Sequence, residues 1–231
     1  MSEQELAPPL STATSSKAMI GALGLAATIC GLIIVTAYEG TLDAVARNKK
    51  IATERAVFKV IPGAKTIREF VATTGGIQPA GPSEAENGVK FYAAYDQGGA
   101  LKGVAAEGSA KGYADEVRVL YAYDPKRQVI TGIGVVSMHE TPGIGDKILT
   151  DPDFQKNFEA LDVHLTDDMK AVANAIKVVK HGTKQHPWEI DAISGSTVTS
   201  KAVGKGIRDS TEKLLPLLLP RIDKLSEGKP T

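Results

Sequence analysis

The residues best suited to chemistry in this chain are the hydroxyls and the glycine of segment 191–197, which reads DAISGST. A helical pattern of apolar residues follows directly, so the hydroxyls fall where the first backbone N–H groups of a helix lack intrahelical partners. Such an end attracts anions, Gly195 permits close backbone approach, and Lys201 or Lys205 adds positive charge. The segment therefore suits a phosphate group. An ordinary helix cap explains the same residues, and on the residues alone we favour the cap.

A second candidate is segment 139–146, HETPGIGD, which follows a strand-like run. Its proline and two glycines also suit a plain turn, and Glu140 would then be a solvated loop carboxylate. Upstream, Tyr113 follows a glycine before a pair of predicted strands, and an aromatic residue there is most simply part of the core. The four histidines are scattered without metal-ligand spacing, so we predict no metal site. No dinucleotide-binding glycine motif or phosphate-binding P-loop is present.

The two segments resemble the signature of bacterial FMN-binding domains. DAISGST is similar to their DxxSGAT motif, and HETPGIGD is similar to their HETPGLG segment. The resemblance implies FMN attached by a phosphoester to Thr197, although Ser196 stands where the family usually has alanine and Thr199 is a second candidate hydroxyl. It implies no catalytic residue in this chain. The expected cofactor-binding residues are Thr197, Asp191, Ser194, Gly195, Ser196 and Lys201, with Glu140, Thr141, Gly143 and Gly145 of the glycine-rich loop near the isoalloxazine, and Tyr113.

The elements that must position these residues form an α+β fold. Short apolar runs at 89–95, 101–108, 116–124 and 128–139 predict a small, mostly antiparallel sheet packed by helices. Four helices are predicted. The first ends before Pro62, and the second carries Phe154, Phe158 and Leu161 on one face. The third begins at Met169, and the fourth follows SGST until Pro216 interrupts it. Residues 72–88 are rich in glycine and proline and predict a turn-rich link.

Composition and hydropathy limit the classes of function that this chain can have. Lys plus Arg and Asp plus Glu both number 27, so no net field attracts nucleic acid. Residues 19–38 carry no charged side chain and are long enough to cross a bilayer, which predicts a transmembrane helix rather than the alternative, a cleaved signal peptide. The predicted organisation begins with a disordered leader at 1–17, a transmembrane helix at 18–38 and a helical connector at 39–71. An FMN-binding domain at 89–215 and a C-terminal tail at 216–231 follow.

The single N-terminal anchor, the helix ending VFKVIPGA, the run TPGIGDKI and the total length carry a wider resemblance. On these features, nearly the whole chain resembles the G subunits of Rnf-type ion-translocating electron-transport complexes. The resemblance implies a redox subunit that passes electrons between neighbouring membrane subunits, is not catalytic alone, and receives FMN from a flavin transferase. It also implies a bacterial inner-membrane protein with an extracytoplasmic C-terminal domain, whereas basic residues after the helix favour the opposite orientation. Two alternatives stay open: the related C subunit of the Na⁺-pumping NADH:quinone oxidoreductase, and a membrane-anchored sensor or scaffold without flavin.

Overall fold

The computed structural model describes residues 15–81 and 88–226. The chain forms two compact units, Met1–Lys50 and Ile51–Thr231. Helix α1, Ser16–Val60, is long and apolar enough to cross a membrane, and its residues 19–38 are exposed. Most of the leader predicted over 1–17 lies outside the described residues, and α1 already begins at Ser16. The helix ends at Val60, two residues before the proline that the sequence indicates as its stop.

Seven strands of the second unit form one antiparallel sheet. The bounds are β1 Thr66–Thr73, β2 Gly76–Pro79, β3 Val89–Tyr95, β4 Leu101–Lys111, β5 Glu116–Asp124, β6 Val129–Ser137 and β7 Leu161–Asp162. The order of the strands in the sheet is β2-β1-β3-β4-β5-β6-β7. The four predicted strand runs are confirmed as its third to sixth members, and the α+β class is confirmed with them. A separate parallel pair consists of β8 Lys177–Val179 and β9 Glu189–Asp191.

The hairpin of β1 and β2 corrects two predictions. The expected helical connector over 39–71 is helical only to Val60, and the expected turn-rich link over 72–88 contains β2. Pairing with β3 explains the difference, because β1 runs along β3 from Thr66 opposite Tyr95 to Ala72 opposite Val89. No clean alternation marks β1 in the sequence, so the pairing decides its structure.

Helix α4, Thr197–Leu218, covers one face of the sheet and closes the main core. It approaches β4 through backbone atoms at Gly108 and Gly206, and Ser210 Oγ donates to the Glu107 carbonyl at 2.8 Å. On the opposite face, Val57 at the end of α1 packs with a second group of buried residues that includes Leu120. The shorter helical elements are α2 Lys147–Thr150, α3 Pro152–Lys156, a 3-10 turn Leu219–Arg221, and α5 Asp223–Ser226.

The C-terminal helix does not stop at its proline. Helix α4 continues through Pro216 to Leu218, so the predicted tail over 216–231 begins inside it. A proline this near a helix end removes one hydrogen bond, and burial of Leu214, Leu215 and Leu218 in the core offsets that loss. Leu225 is also buried, so the described part of the tail packs on the domain.

Two other helix predictions are wrong. Helix α3 ends at Lys156 because the Asn157 side chain donates to the Phe154 carbonyl at 3.0 Å, and Leu161 pairs in the sheet instead. The predicted helix at Met169 is a turn in which Met169 has φ +56°. Its geometry is fixed by the Thr166 hydroxyl, which donates to the Asp168 carboxylate at 2.6 Å, a local bond that competes with helix formation.

Candidate functional site

The segment 191–197 leads from β9 into the first turn of α4. Gly195 adopts φ +81°, a left-handed conformation that other residues rarely take, and it lets the chain reverse before Ser196, the N-cap. The Ser200 side chain holds this turn together, since its Oγ accepts from Ile193 N at 3.1 Å and donates to the Ser196 carbonyl at 2.9 Å. The next amides, those of Thr197 onward, stand in the first helical turn, where no intrahelical acceptor exists.

A cavity of about 450 Å³ opens against this first turn. We call it cavity A, and it brings together the glycine-rich loop, Tyr113 and the start of α4. Its volume lies within the range of roughly 300–1,000 Å³ typical of small-molecule sites. Its lining residues are Tyr113, Glu140, Thr141, Ile144, Gly145, Gly195, Ser196, Thr197, Val198 and Thr199.

The three hydroxyls around the start of α4 differ in their surroundings. Thr197 is half-buried, and its hydroxyl makes no hydrogen bond within the described part of the chain. Thr199 is buried, and its Oγ1 donates to Glu140 Oε2 at 2.8 Å. Ser196 is also buried, but its Oγ neither caps the helix nor meets another partner among the described residues. Of these three residues, Thr197 is the one that combines a hydroxyl without a partner with exposure on the wall of cavity A.

Glu140 ties two walls of cavity A together. Its Oε1 accepts from Ala114 N at 3.1 Å, while its other oxygen accepts from the Thr199 hydroxyl. Glu140 is therefore not the solvated loop carboxylate of the plain-turn alternative, because both of its oxygens accept hydrogen bonds from other segments. A Cβ added to Gly112 would lie 2.4 Å from Glu140 Oε1, and one added to Gly145 would lie 2.5 Å from Glu140 Cβ. Gly145 thus makes room for Glu140.

Residues of the rim are more exposed than the sequence suggests. Tyr113 is 73% exposed, so the interpretation of this residue as a core aromatic is wrong. Ile144 and Val198 are 51% and 50% exposed, and both line cavity A beside it. Neither aliphatic residue is predicted as a site residue from the sequence, although Ile144 lies inside segment 139–146 and Val198 directly follows segment 191–197. Thr141 is also exposed on the wall, and Gly143, with φ +77°, serves the turn of the loop.

Four of the predicted site residues do not line cavity A: Gly143 of the glycine-rich loop, Asp191, Ser194 and Lys201. Asp191 and Ser194 line a neighbouring cavity of about 370 Å³, which we call cavity B. The Asp191 carboxylate accepts from Gly182 N at 2.8 Å, and its backbone N–H donates to Asn157 Oδ1 at 3.0 Å, so it anchors the loop before β9. Lys201 is exposed and does not line either cavity.

Metal ligation has no support in the described part of the chain, where no group of three His, Cys, Asp or Glu side chains is arranged to hold an ion. Cavity A instead offers first-turn amides, a free threonine hydroxyl and an apolar rim. Amides at a helix start suit a phosphate, and an aromatic and aliphatic rim suits a flat ring system. The residues present therefore fit a phosphorylated aromatic molecule.

Comparisons with known proteins agree with this geometry. Residues 112–212 match the family model described as "FMN-binding domain". The fold is similar to two solved structures, the C subunit of the Na⁺-translocating NADH-quinone reductase from Parabacteroides distasonis and NqrC from Shewanella oneidensis. The first has a TM-score of 0.59 at 18% identity, covering 76% of this chain and 96% of that one. The second has a TM-score of 0.51 at 22% identity, covering 75% and 86%.

Sequence relatives extend further along the chain. The G subunit of the Na⁺-translocating ferredoxin:NAD⁺ oxidoreductase complex of Acetobacterium woodii is 31% identical over 71% of this chain and 70% of its own length. The G subunit of the proton-translocating complex of Clostridium ljungdahlii is 29% identical, covering 80% and 84%. The G subunit of the ion-translocating oxidoreductase complex of Cereibacter sphaeroides is 30% identical, covering 78% and 76%. This chain belongs to the family of G subunits of ion-translocating oxidoreductase complexes, and it contains an FMN-binding domain.

Proposed function

We propose that this chain is a membrane-anchored electron-transfer subunit of an ion-translocating oxidoreductase complex and carries FMN as a phosphoester on Thr197. Family membership and the FMN-binding domain support the flavoprotein role. The single observation that carries the attachment residue is the free, half-buried hydroxyl of Thr197 on the wall of cavity A. When bound, FMN supplies the redox chemistry, and the protein fixes its position and its electrostatic surroundings.

The competing hydroxyl is unsuited to attachment. Thr199 is only 2% exposed, and its hydroxyl is already engaged with Glu140. Esterifying it would break that bond and require the first turn of α4 to open. Thr197 needs neither change, and this difference supports Thr197 as the attachment residue.

Different residues of cavity A would contact the phosphate and the ring system of FMN. First-turn amides of α4 and the Thr197 ester would hold the phosphate, and the rim residues Tyr113, Ile144 and Val198 would cover the ring. The partial positive charge of a helix N-terminus stabilises a phosphate there. Asp191, Ser194 and Lys201 do not line cavity A, and Asp191 would act indirectly, because it anchors the loop before β9, the strand that precedes the site.

The flavin-free alternative, a sensor or scaffold in which SGST only caps a helix, fits less well. A capping serine accepts a hydrogen bond from an amide of the first turn. Ser196, the N-cap residue, makes no such bond. Ser196 therefore adds no capping hydrogen bond, and the amides of the first turn would be available to an anion.

A mass measurement tests the attachment. The full chain is expressed with a flavin transferase, denatured, and separated by size, and the protein band is examined for flavin fluorescence and for the mass of one FMN ester. We expect Thr197→Ala to abolish the ester and the matched control Thr199→Ala to retain it. Flavin that washes away from the denatured wild-type chain, or that persists in Thr197→Ala, would contradict the proposal.

Orientation, partners and maturation are part of the same proposal. Helix α1 would anchor the chain in the bacterial inner membrane, with the FMN-binding domain on the extracytoplasmic side, where a covalent link prevents loss of the cofactor. Electrons would pass between neighbouring membrane subunits, with Na⁺ or H⁺ moved by the complex and not by this subunit alone. Membrane-impermeant labelling of an introduced cysteine at exposed Lys201 of otherwise cysteine-free protein reports the side: labelling in intact spheroplasts supports the proposal, and labelling only after lysis opposes it.

A further inference from the structure

Glu140 is the charged residue among those that line cavity A. The other lining residues are glycines, hydroxyl residues, aliphatic residues and one tyrosine. Lys201 is outside the cavity, and the nearby exposed pair of His139 Nδ1 and Asp115 Oδ2, 3.3 Å apart, is outside it as well. The fixed formal charge on the cavity wall is therefore negative.

The Glu140 carboxylate is held at both of its oxygens. Oε1 accepts from Ala114 N at 3.1 Å, and Oε2 accepts from the Thr199 hydroxyl at 2.8 Å. These partners lie 26 and 59 residues away in the chain and hold the group from two sides. Close packing against Gly112 and Gly145 limits its other movements. The negative charge thus stays in one place.

The position of this charge matters because it sits on the first turn of α4. The partial positive charge of that helix end would otherwise dominate the field in cavity A, stabilise added electrons and raise the potential of a bound redox group. A carboxylate bonded to the first-turn residue Thr199 opposes that field. Reduction adds electron density to the bound group, so a neighbouring fixed negative charge makes reduction less favourable.

We infer that Glu140, held by Ala114 and Thr199, lowers the reduction potential of the flavin bound in cavity A. The inference rests on the proposed function, and it assigns to Glu140 an electrostatic role besides its role in joining the cavity walls. Glu140→Gln removes the charge and keeps a side chain of almost the same shape. Glu140→Asp keeps the charge but withdraws it by one methylene.

The experiment is a spectroelectrochemical titration of the covalent flavin in the full chain after co-expression with a flavin transferase. We expect Glu140→Gln to shift the midpoint potential to more positive values and Glu140→Asp to stay nearer the wild type. The matched control is Glu159→Gln, which makes the same change at an exposed loop carboxylate outside both cavities. It should leave the potential unchanged.

Ionic strength separates charge from shape. The shift in Glu140→Gln should shrink as salt is raised, because salt screens a half-exposed charge, whereas a change of packing would persist. The potential is read from whatever fraction carries flavin, so partial loading does not prevent the measurement. An unchanged potential in Glu140→Gln would overturn the inference, as would a folded Glu140→Gln protein with no flavin. A wild-type chain without covalent flavin would instead refute the proposed function itself.

Discussion

Replacing Gly108 with alanine should destabilise the FMN-binding domain, because β4 and α4 touch there through backbone atoms. A Cβ at Gly108 would lie 2.4 Å from the Gly206 carbonyl oxygen and 2.6 Å from its carbonyl carbon. Both positions are buried, and neither contact is the flexible end of a side chain. Helix α4 would have to move away from the sheet, and this helix supplies the first turn that lines cavity A.

The magnitude follows from two opposing terms. Overpacking a well-packed interface costs about 1–3 kcal/mol, and a backbone-to-backbone clash belongs near the upper end. Gly→Ala recovers roughly 0.4–1 kcal/mol by restricting the unfolded chain. The net expectation for Gly108→Ala is a loss of about 2 kcal/mol. With a urea m-value of about 2 kcal/mol/M, the unfolding midpoint falls by about 1 M.

The assay uses the chain's single tryptophan, Trp188, which lies in the second unit and stacks on His186. Its fluorescence follows unfolding of the flavin-free chain in urea. Gly132→Ala is the matched control, since a Cβ there would meet nothing closer than the Val60 carbonyl oxygen at 3.7 Å. We expect that variant to be neutral or slightly stabilised. Equal urea midpoints for Gly108→Ala and wild type, or equal losses in both variants, would contradict the predicted clash between β4 and α4.

Two further predictions concern polar groups around the site. Ser196→Ala should stabilise the flavin-free chain by about 1 kcal/mol in the same urea assay, because it removes a buried hydroxyl that has no partner among the described residues. The control Ser194→Ala, at an exposed serine, should leave the stability unchanged. FMN attachment should survive in both variants. A loss of stability in Ser196→Ala would contradict this. The backbone N–H groups of Gln185 and His186 donate to the Glu189 carboxylate and lower its pKa below the ordinary 4.5. Glu189 therefore stabilises the folded chain above that pH, and this stabilisation is lost as the pH falls through the lowered pKa. The stability of Glu189→Gln should therefore fall less on acidification, and identical pH profiles from urea midpoints would refute it.

Much of the sheet could be predicted from local pattern. The runs that became β3 to β6 alternate or concentrate apolar residues between turn signals, and such patterns survive folding because they report burial directly. Strand β1 was missed since its structure depends on pairing with β3. Pro216 was misjudged because burial of the neighbouring leucines in the core outweighs the local cost of the proline.

For the candidate site too, the segments could be predicted from the sequence, but their contacts with one another could not. Two segments carry its chemistry, and both are contiguous: 191–197 predicts an anion site at a helix start, and 139–146 predicts a glycine-rich loop. Their meeting in cavity A, with Tyr113 beside them, is a matter of tertiary structure. The tertiary structure also decides that Asp191 and Ser194 line cavity B, because the direction of a side chain depends on the turn that carries it.

The sequence by itself determined that hydroxyls, a glycine and a helix start stand together at the end of β9. It left two threonines, Thr197 and Thr199, as candidates for the ester. Only the tertiary structure gives the two hydroxyls different surroundings. It brings Glu140 from 59 residues away to bind the Thr199 hydroxyl, whereas the Thr197 hydroxyl has no hydrogen-bond partner in the described part of the chain. The physical reason is that a hydroxyl's availability depends on its burial and its partner, and both come from distant parts of the chain.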